Sequence, residues 1–291
     1  MTLRGMGQLD TRQLGALLDL TARASAEIMT HYREASSRKE LRQKSDRTPL
    51  TEADLASHEL LLNGLRGITP EIPVLSEESE TQSIEHRLDW PTLWMLDPLD
   101  GTREFLDGTA QFTINLALIN AHEVRFGLIF YPNEGCAYLG APGYGAYRAE
   151  KRVNEWHLEP LVTRRLPDQS LTLLASHRHR NETLGRCISW VEQRYALVRQ
   201  NFGSAVKFCE LARGAGDWYP RFSPCSEWDV AAGDALVTAA GGAVYTLDGL
   251  RLRYNARNTL ESPHFLAVAD AQTSLWADLL EFLKESPAPC A

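Results

Sequence analysis

The sequence predicts a layered α/β protein in which strands and helices alternate through both halves of the chain. Its 291 residues, 44% hydrophobic and 23% charged, have the composition of a globular chain that buries a large core. Short apolar runs typical of strands and longer stretches of helical spacing occur both before and after residue 150. No repeat or long linker interrupts them. We therefore expect two intimate halves, 1–150 and 151–291, in one continuous unit with a cleft between them.

Helices are predicted by apolar spacing and by end signals. From Leu14 to Tyr32, apolar or small residues recur at intervals of three, four and seven, which predicts a helix over about 10–34. Thr51 begins a Thr-x-x-acid capping pattern that ends at Asp54, so a second helix is expected there with Asp54 in its first turn. Two later helices are expected over 229–240, closed by Gly241 and Gly242, and over 275–284.

Strands are predicted by short apolar or β-branched runs. The runs 72–75 and 93–96 each end abruptly in acidic residues, as buried strands do when they deliver carboxylates to one edge of a sheet. The runs 112–119 and 124–131 are joined by a short polar turn, which predicts a hairpin. Further strands are expected at 171–175 and 265–269.

The charge balance and the cysteines restrict the class of protein. The chain has 30 Lys and Arg against 38 Asp and Glu, and its net charge of −8 argues against a general affinity for nucleic acid. Its five cysteines are widely spaced without a CxxC pair, which is typical of reduced thiols in a cytoplasm. The N-terminal residues lack the apolar core of a signal peptide, and no run of about 18 apolar residues occurs. We expect a cytoplasmic protein without a transmembrane segment.

The segment WMLDPLDGTREF carries the strongest chemical signal. Asp97 and Asp100 stand on either side of Pro98, directly after an apolar strand. Because Pro98 fixes its own φ and stiffens the turn, the two carboxylates and the Leu99 carbonyl can point the same way. Hard oxygen ligands of this kind suit Mg²⁺, and the N–H groups of a helix or turn that begins at Gly101 suit a phosphate.

These residues also have ordinary structural interpretations. Asp-Pro and Asp-Gly are common turn dipeptides, and Asp229 alone would be a plain helix cap. Thr102 would equally be a satisfied turn hydroxyl, and the charged segment 36–51 a solvated connector. However, Glu77 and Glu78 follow another apolar strand, and so many carboxylates at strand ends favour a metal site.

Four motifs in the same order resemble the lithium-sensitive, magnesium-dependent phosphatases of the inositol monophosphatase superfamily. They are KSDRTPLTEAD at 44–54, SEE at 76–78, DPLDGT at 97–102 and WDVAAG at 228–233. Within the superfamily, GSAVKFC at 203–209, YPRF at 219–222 and FTINLALI at 112–119 resemble the CysQ branch, the 3'(2'),5'-bisphosphate nucleotidases. The likeness covers nearly the whole chain and implies a layered α/β/α/β/α sandwich.

The chain departs from the branch pattern at two places. Ala205 stands where a second serine is usual, and the order of residues around the histidine differs in Ser176–His179. Both departures lie on the side of the site that would bind the nucleotide.

The resemblance also implies the residues of a two-metal site. Metal ligands fall on Glu77, Asp97, the Leu99 carbonyl, Asp100 and Asp229. The water-activating pair falls on Asp54 and Thr102, with Glu77 holding the ion that binds the attacking water. Two Mg²⁺ ions are implied, and Asp46 on a flexible loop would help to hold a third, more loosely bound ion through water.

A bisphosphate substrate needs a cation at a distance from the metals for its second phosphate. Lys207 and Arg221 are the candidates, although each taken alone would be an ordinary surface charge. His177 is expected near the sugar or base. The remaining substrate contacts are expected from Gly101, Thr102, Ser204 and Asp229.

The resemblance therefore implies hydrolysis of 3'-phosphoadenosine 5'-phosphate to AMP and phosphate, which recycles a by-product of sulfate assimilation. Two other functions remain open at this point. An inositol or sugar monophosphatase would use the same metals on a polyol phosphate, without need of Lys207 and Arg221. A catalytically silent binding protein on this fold would be expected to lack a metal ligand. The sequence leaves open a monomer or a homodimer, and peripheral association with the inner membrane is suggested only by the resemblance.

Overall fold

The computed structural model describes residues 5–39, 52–79, 86–176 and 181–285, which form two β-sheets and seven α-helices. The helices are α1 (Thr11–Lys39), α2 (Glu52–Ile68), α3 (Thr102–Asp107), α4 (Glu182–Glu192), α5 (Val206–Ala212), α6 (Ala231–Ala239) and α7 (Leu275–Glu285). In this part of the chain no helix is long and apolar enough to span a membrane.

The first sheet contains seven strands that are neighbours in chain order. They are β1 (Val74–Ser76), β2 (Thr92–Asp100), β3 (Thr113–Asn120), β4 (Glu123–Tyr131), β5 (Cys136–Ala141), β6 (Gly145–Arg152) and β7 (Glu155–Leu161). Strands β1 and β2 are parallel, and every later neighbour is antiparallel. The predicted hairpin is confirmed as β3 and β4. This sheet continues to Leu161, and the division of the chain at residue 150 stays a prediction.

The second sheet has five strands in the order β11-β12-β10-β8-β9. They are β8 (Ser170–Ala175), β9 (Ala196–Asn201), β10 (Trp218–Arg221), β11 (Ala243–Thr246) and β12 (Phe265–Val268). Parallel and antiparallel pairs are mixed, because β8 is parallel to β9 and β10, whereas β12 is antiparallel to β10 and β11.

Three apolar clusters hold these elements in five layers. One joins α1 and α2 to one face of the first sheet, through residues such as Leu17, Leu61 and Leu96. The second lies between the two sheets and includes α5 and α6, with Phe208 and Leu236 among its members. The third covers the outer face of the second sheet with α4 and α7. This arrangement confirms the predicted α/β/α/β/α sandwich.

Two glycines allow α6 to approach the first sheet closely. Gly127 on β4 and Gly140 on β5 are directly paired. A Cβ atom at Gly127 would lie 2.3 Å from the Ala232 carbonyl oxygen, and one at Gly140 would lie 2.9 Å from the Ala239 Cβ. Neither position therefore tolerates a side chain without moving α6. Because α6 is packed this closely, the chain leading into it is held near the end of β2.

Most predicted elements are present, with shifted ends. The first helix continues to Lys39, so the prediction that 36–39 belong to the connector is wrong, because the helical hydrogen bonds run on through this polar stretch. The rest of the connector, including Thr51, lies outside the described residues. The helix predicted over 229–240 begins two residues later, at Ala231, after a 3-10 turn, Glu227–Asp229. The helix predicted over 275–284 is confirmed as α7.

Candidate active site

The ends of β1 and β2 carry the first two acidic residues of the site. The strands are parallel, with Ser76 paired to Leu96, so their carboxyl ends meet at the same edge of the sheet. Glu77 follows directly, and its N–H donates to the Leu96 carbonyl at 3.0 Å. Asp97 is the next residue on β2 and is 1% exposed. The sequence prediction that the two strands deliver carboxylates to one edge is confirmed.

A break in strand register shapes the turn that follows. The pairing of β2 with β3 is regular up to Asp97 and resumes at Asp100 after a shift. Asp97 Oδ1 accepts a hydrogen bond from the Leu99 N–H at 3.0 Å, and Ser57 on α2 donates to the Pro98 carbonyl at 2.8 Å. These two bonds hold the turn from inside and from the adjacent helix, so its carboxylates are oriented before any ligand binds.

Asp229 reaches the same place from the other half of the chain. It ends the 3-10 turn before α6, and its Oδ2 accepts the Ser226 N–H at 3.0 Å in a capping box. Val230, and not Asp229, stands at the N-cap position of α6. One carboxylate oxygen from each of Asp97, Asp100 and Asp229 lies within 4.8 Å of the others. Two aspartates of one turn and a third from the other half of the chain therefore form one acidic cluster.

The electrostatics of this cluster favour a bound cation. Burial and the charges of Asp100, Glu77 and Asp229 raise the pKa of Asp97 well above its usual value. Burial and the charge of Asp100 raise the pKa of Glu77 to about 7, and the same causes raise the pKa of Asp229 to about 7. Carboxylate oxygens gathered this closely are costly as bare anions and are the donors that a hard divalent cation prefers. The cluster thus fits Mg²⁺.

Asp54, Gly101 and Thr102 surround the same turn. Asp54 is buried in the first turn of α2, the helix that Ser57 ties to Pro98. Gly101 has a φ of 93°, and a Cβ there would lie 3.2 Å from both the Gln111 carbonyl oxygen and the Ser204 Cβ. Thr102 begins α3, and its hydroxyl donates to the Leu99 carbonyl over a long 3.4 Å. The predicted helix start after Gly101 is confirmed.

Asp100 is held by a small network of polar side chains. Its Oδ2 accepts a hydrogen bond from the Ser204 hydroxyl at 2.7 Å and another from the Asn115 amide at 3.2 Å. Thr113 connects the two donors, at 2.9 Å from Asn115 Oδ1 and 2.6 Å from Ser204 Oγ. Ser204 itself has a φ of 51°, in the left-handed region that serine seldom occupies. This network fixes the direction of the Asp100 carboxylate.

A cavity of about 110 Å³ opens beside the acidic cluster, and both acidic and cationic side chains line it. Its lining includes Asp100, Glu104, Ser176, Ser204, Lys207, Phe208, Tyr219, Arg221, Cys225, Asp229 and Val230. Five residues that the sequence predicted for the site line this cavity: Asp100, Asp229, Ser204, Lys207 and Arg221.

The two cations of this cavity differ in their contacts. Lys207 is 2% exposed, and its ammonium donates to the Ser204 carbonyl at 2.6 Å and to the Phe202 carbonyl at 3.1 Å. Burial lowers the pKa of Lys207 to about 8, an effect that the charge of Asp100 opposes. Arg221 is half-buried and donates to the Ser223 and Pro224 carbonyls at 3.2 and 3.0 Å. Arg221 is therefore the more accessible of the two.

Two residues predicted for the site lie outside the described residues. They are His177, expected near the sugar or base, and Asp46, expected to help hold a third ion. Both stay sequence predictions.

Several residues of the site gave no recognisable signal in the sequence. Ser57 donates to the Pro98 carbonyl of the turn, 41 residues along the chain. Asn115 donates to Asp100, 15 residues away, and Thr113 acts on Asp100 only through Asn115 and Ser204. His58 shares a hydrogen bond of 2.9 Å with the Ser76 hydroxyl, next to Glu77. The helical position of Ser57, one turn after Asp54, is the single hint that could have pointed to it.

The raised pKa values of Glu77 and Asp229 predict a pH-dependent stability for the metal-free protein. Both values are about 7, against 4.5 and 3.8 ordinarily, so the folded state favours the protonated carboxyl groups. The stability that these two carboxyl groups contribute is fully present at pH values below their ordinary pKa values, and it is lost as the pH rises through about 7. We expect the melting temperature in EDTA to fall between about pH 5.5 and pH 8.5, and Mg²⁺ to raise it more at the higher pH.

Thermal unfolding at matched ionic strength, with Mg²⁺ or with EDTA and NaCl, measures this difference. An equal effect of Mg²⁺ at both pH values would contradict the predicted coupling between the carboxyl protons and the metal.

Comparison with known proteins agrees with the fold. The family model of the inositol monophosphatase family matches residues 11–281. The chain belongs to the inositol monophosphatase family. The family recognised from the motifs, the sandwich fold and the class of phosphoric monoester hydrolase are thereby confirmed.

Individual relatives of this inositol monophosphatase family member are similar over most of their length. The chain is 34% identical over 256 residues to the 3'(2'),5'-bisphosphate nucleotidase CysQ of Salmonella typhimurium, covering 87% of this chain and 98% of the relative. It is 34% identical over 226 residues to the enzyme of the same name from Escherichia coli K12, covering 76% and 86%. The crystal structure of CysQ from Bacteroides thetaiotaomicron superposes with a TM-score of 0.75 and 31% identity, covering 89% of this chain and 97% of that one.

Proposed function

We propose that this chain is a Mg²⁺-dependent phosphatase that removes the 3'-phosphate of 3'-phosphoadenosine 5'-phosphate and yields AMP and phosphate. The observation that carries the proposal is a cavity lined both by Asp100 and Asp229, two members of the acidic cluster, and by the accessible guanidinium of Arg221. The acidic side suits metal ions on the phosphate that is hydrolysed, and the cationic side suits a second phosphate. The names of the relatives support the same substrate class.

The proposed metal ligands are the carboxylates of Glu77, Asp97, Asp100 and Asp229 and the Leu99 carbonyl. Asp97 would be shared by the two ions, since its carboxylate interacts electrostatically with Asp100, Glu77 and Asp229. When bound, Mg²⁺ lowers the pKa of a coordinated water and neutralises charge on the transferring phosphoryl group.

The chain's own residues orient the reacting groups. The Thr102 hydroxyl takes up the proton of the attacking water and passes its own proton to the Asp54 carboxylate, which is the final acceptor. In the structure this hydroxyl donates to the Leu99 carbonyl through a long, weak bond. The phosphate lies at the N–H groups of Gly101 and Thr102, which begin α3 and have no acceptor within the helix. Ser204 and Asn115 keep the Asp100 carboxylate in one orientation, so little reorganisation is needed during the reaction.

Three finer points belong to the proposal. A loosely held ion, bound with the help of Asp46, makes the enzyme sensitive to lithium. The reaction recycles the 3',5'-bisphosphate left by sulfate assimilation in the cytoplasm. Two Mg²⁺ ions are needed for turnover, and the chain acts as a monomer or a homodimer.

Phosphate release from a panel of substrates tests the function. The panel contains 3'-phosphoadenosine 5'-phosphate, inositol 1-phosphate and fructose 1,6-bisphosphate, each with Mg²⁺, with EDTA, and with added LiCl or KCl. We expect the nucleotide to have the highest kcat/KM, EDTA to abolish turnover, and lithium but not potassium to inhibit. Preference for inositol 1-phosphate would replace the proposal with a polyol phosphatase on the same metal site.

Replacing Arg221 by methionine is expected to reduce hydrolysis of the nucleotide selectively. A hydrogen bond to a charged group contributes about 1.5 to 3 kcal/mol, so kcat/KM for 3'-phosphoadenosine 5'-phosphate should fall roughly 10- to 150-fold. Slow hydrolysis of inositol 1-phosphate should change little, because that substrate has no second phosphate for the guanidinium to bind.

Arg194→Met is a matched control. The Arg194 guanidinium also donates to a nearby backbone carbonyl, that of Trp190 at 3.0 Å, but Arg194 follows the C-terminal end of α4 and does not line the cavity. Arg194→Met should leave both substrates unaffected. A parallel loss of both substrates in Arg221→Met would show that Arg221 does not bind the distal phosphate.

A further inference from the structure

A buried arginine, Arg87, connects the entry to β2 with a distant segment, 255–258. It lies in a short 3-10 turn before the strand and is 4% exposed. Its guanidinium donates to Asn255 Oδ1 at 2.7 Å and to the carbonyls of Arg257 and Asn258 at 2.7 and 2.6 Å. A buried cation is costly unless its donors are bonded, so Arg87 and these three acceptors hold each other in place.

Asn255 is held by Arg87 in a conformation that few residues adopt. It is 0% exposed and has a φ of 52°, in the left-handed region that asparagine occupies more readily than most residues with a Cβ. Its side-chain amide donates to the Arg87 carbonyl at 2.6 Å, so the two residues bond each other twice. The backbone of Asn255 is therefore fixed in one direction.

The N–H of Asn255 points at the carboxylate of Glu227. It donates to Glu227 Oε2 at 2.6 Å, and the Arg257 guanidinium donates to Oε1 at 3.2 Å. Glu227 is 0% exposed, so its carboxylate depends on these donors. Its own N–H donates to the Leu260 carbonyl at 2.8 Å. Glu227 is thus held through both its side chain and its main chain.

Glu227 begins the turn that carries a carboxylate of the acidic cluster. This 3-10 turn ends at Asp229, whose Oδ2 accepts the N–H of Ser226, on the other side of Glu227, at 3.0 Å. Because the capping box joins Ser226 to Asp229, a displacement of Glu227 moves the Asp229 carboxylate with it. A continuous path of contacts leads from Arg87 to one of the three aspartates of the cluster.

We propose that Arg87, Asn255 and Glu227 form a brace that positions Asp229 for metal binding, with Asn255 as its central positioning residue. Arg87 fixes the left-handed backbone of Asn255, and the N–H of Asn255 fixes Glu227. None of the three lines the cavity, so the brace acts on the metal without touching the substrate. The inference rests on the proposed function only for the assignment of Asp229 as a metal ligand.

Mn²⁺ binding measured by electron paramagnetic resonance, without substrate, is the first test. Loss of a residue that orients a metal ligand typically costs about 10- to 100-fold in metal affinity. We expect Asn255→Gly to raise the dissociation constant about 10-fold, because glycine keeps the left-handed backbone but releases Arg87. Arg87→Met should have a similar effect.

The double variant, Arg87→Met with Asn255→Gly, should bind Mn²⁺ no more weakly than the weaker single variant, since both changes break the same contact. Multiplied losses in the double variant, or an unchanged dissociation constant in both single variants, would overturn the proposal.

A second comparison asks whether the effect passes through Asp229. Asp229→Asn should weaken Mn²⁺ binding by itself, because a carboxylate ligand is lost. In that background Asn255→Gly should cause little further loss, since the group that the brace positions is already gone. The same loss with and without the Asp229 carboxylate would show that the brace acts elsewhere, and the proposal would be wrong.

Arg164→Met is the matched control for general loss of stability. Arg164 also bonds a buried carboxylate, that of Asp217, and does not line the cavity. It should lower the melting temperature and leave Mn²⁺ binding unchanged. Amide hydrogen exchange across 226–230 should be about 10-fold faster in metal-free Asn255→Gly than in Arg164→Met. Equally weakened Mn²⁺ binding in Arg164→Met would reduce the brace to a stabilising contact. If Arg87→Met does not fold, Arg87→Lys takes its place beside Asn255→Gly.

Kinetics distinguish positioning from contact with the substrate. Asn255→Gly should raise the Mg²⁺ concentration that gives half the maximal rate by about 10-fold, whereas KM for the nucleotide at saturating Mg²⁺ should change little. A raised KM at saturating Mg²⁺ would place Asn255 in substrate binding instead. If the chain prefers another phosphate ester, the function proposed above fails, but the Mn²⁺ and exchange measurements still decide the role of the brace.

Discussion

Asp97→Asn is expected to abolish phosphatase activity while making the metal-free protein more stable. Asp97 is buried among Asp100, Glu77 and Asp229, whose charges raise its pKa, so its ionised form is unfavourable without a cation. Asparagine keeps the shape and removes the charge. Loss of the ligand shared by two ions should cost several kcal/mol of transition-state stabilisation, or about 10³-fold or more in kcat. The melting temperature in EDTA at pH 8 should rise by a few degrees.

The matched control is Asp217→Asn, another buried aspartate. Asp217 directly precedes β10 of the second sheet and is 1% exposed. It forms a salt bridge with Arg164, and in the described part of the chain no acidic residue is among its hydrogen-bonded partners. Removing its charge weakens the bonds that the buried carboxylate accepts from the half-buried Arg164 guanidinium and from the Thr172 N–H, so Asp217→Asn should lower the melting temperature. The test is that the melting temperature rises in Asp97→Asn and falls in Asp217→Asn. A destabilised Asp97→Asn that still responds to Mg²⁺ would show that Asp97 is structural.

Thr102→Ala is expected to keep the metal and lose rate. The Thr102 hydroxyl contributes little to the fold, because its one recorded bond, to the Leu99 carbonyl, is 3.4 Å long. If it takes up the proton of the attacking water, its removal should lower kcat by roughly 10² to 10⁴ at unchanged Mn²⁺ affinity. Single-turnover phosphate release and Mn²⁺ titration measure the two quantities separately.

Thr109→Ala provides the control for Thr102. Thr109 follows the other end of α3, is exposed, and also donates its hydroxyl to a backbone carbonyl, that of Glu104 at 3.3 Å. The two substitutions remove the same atoms from the same kind of contact. A similar small effect of both on kcat would place proton transfer on a different group.

The metal site was the most predictable part of this protein. The acids at 97 and 100 lie within one short turn, so local sequence determined that their carboxylates would be neighbours. Glu77 follows an apolar run that predicted a strand ending in carboxylates at a sheet edge, and the structure shows this strand to be parallel to β2. Asp229 was predicted through the resemblance alone, because it lies 129 residues beyond Asp100 in numbering and nothing local connects them.

Two of the elements that the sequence did not predict have weak local patterns. Strand β9 contains only exposed and partly exposed residues, so it lacks the apolar face of a strand that packs on both sides. Helix α5 has seven residues, all buried, and a run this short and this apolar cannot be distinguished from a strand by periodicity. Both depend on neighbours for their structure.

By itself the sequence determined the layered α/β class, the positions of the main helices and strands, and the neighbouring carboxylates of Asp97 and Asp100. These follow from hydrophobic periodicity and from residue types within a few positions of each other. The tertiary structure alone decided what Ser57, Asn115 and Ser204 do. Their roles depend on which carbonyl or carboxylate lies within about 3 Å of each side chain, and such contacts arise only when the packing of α2, β3 and α5 has brought distant segments together.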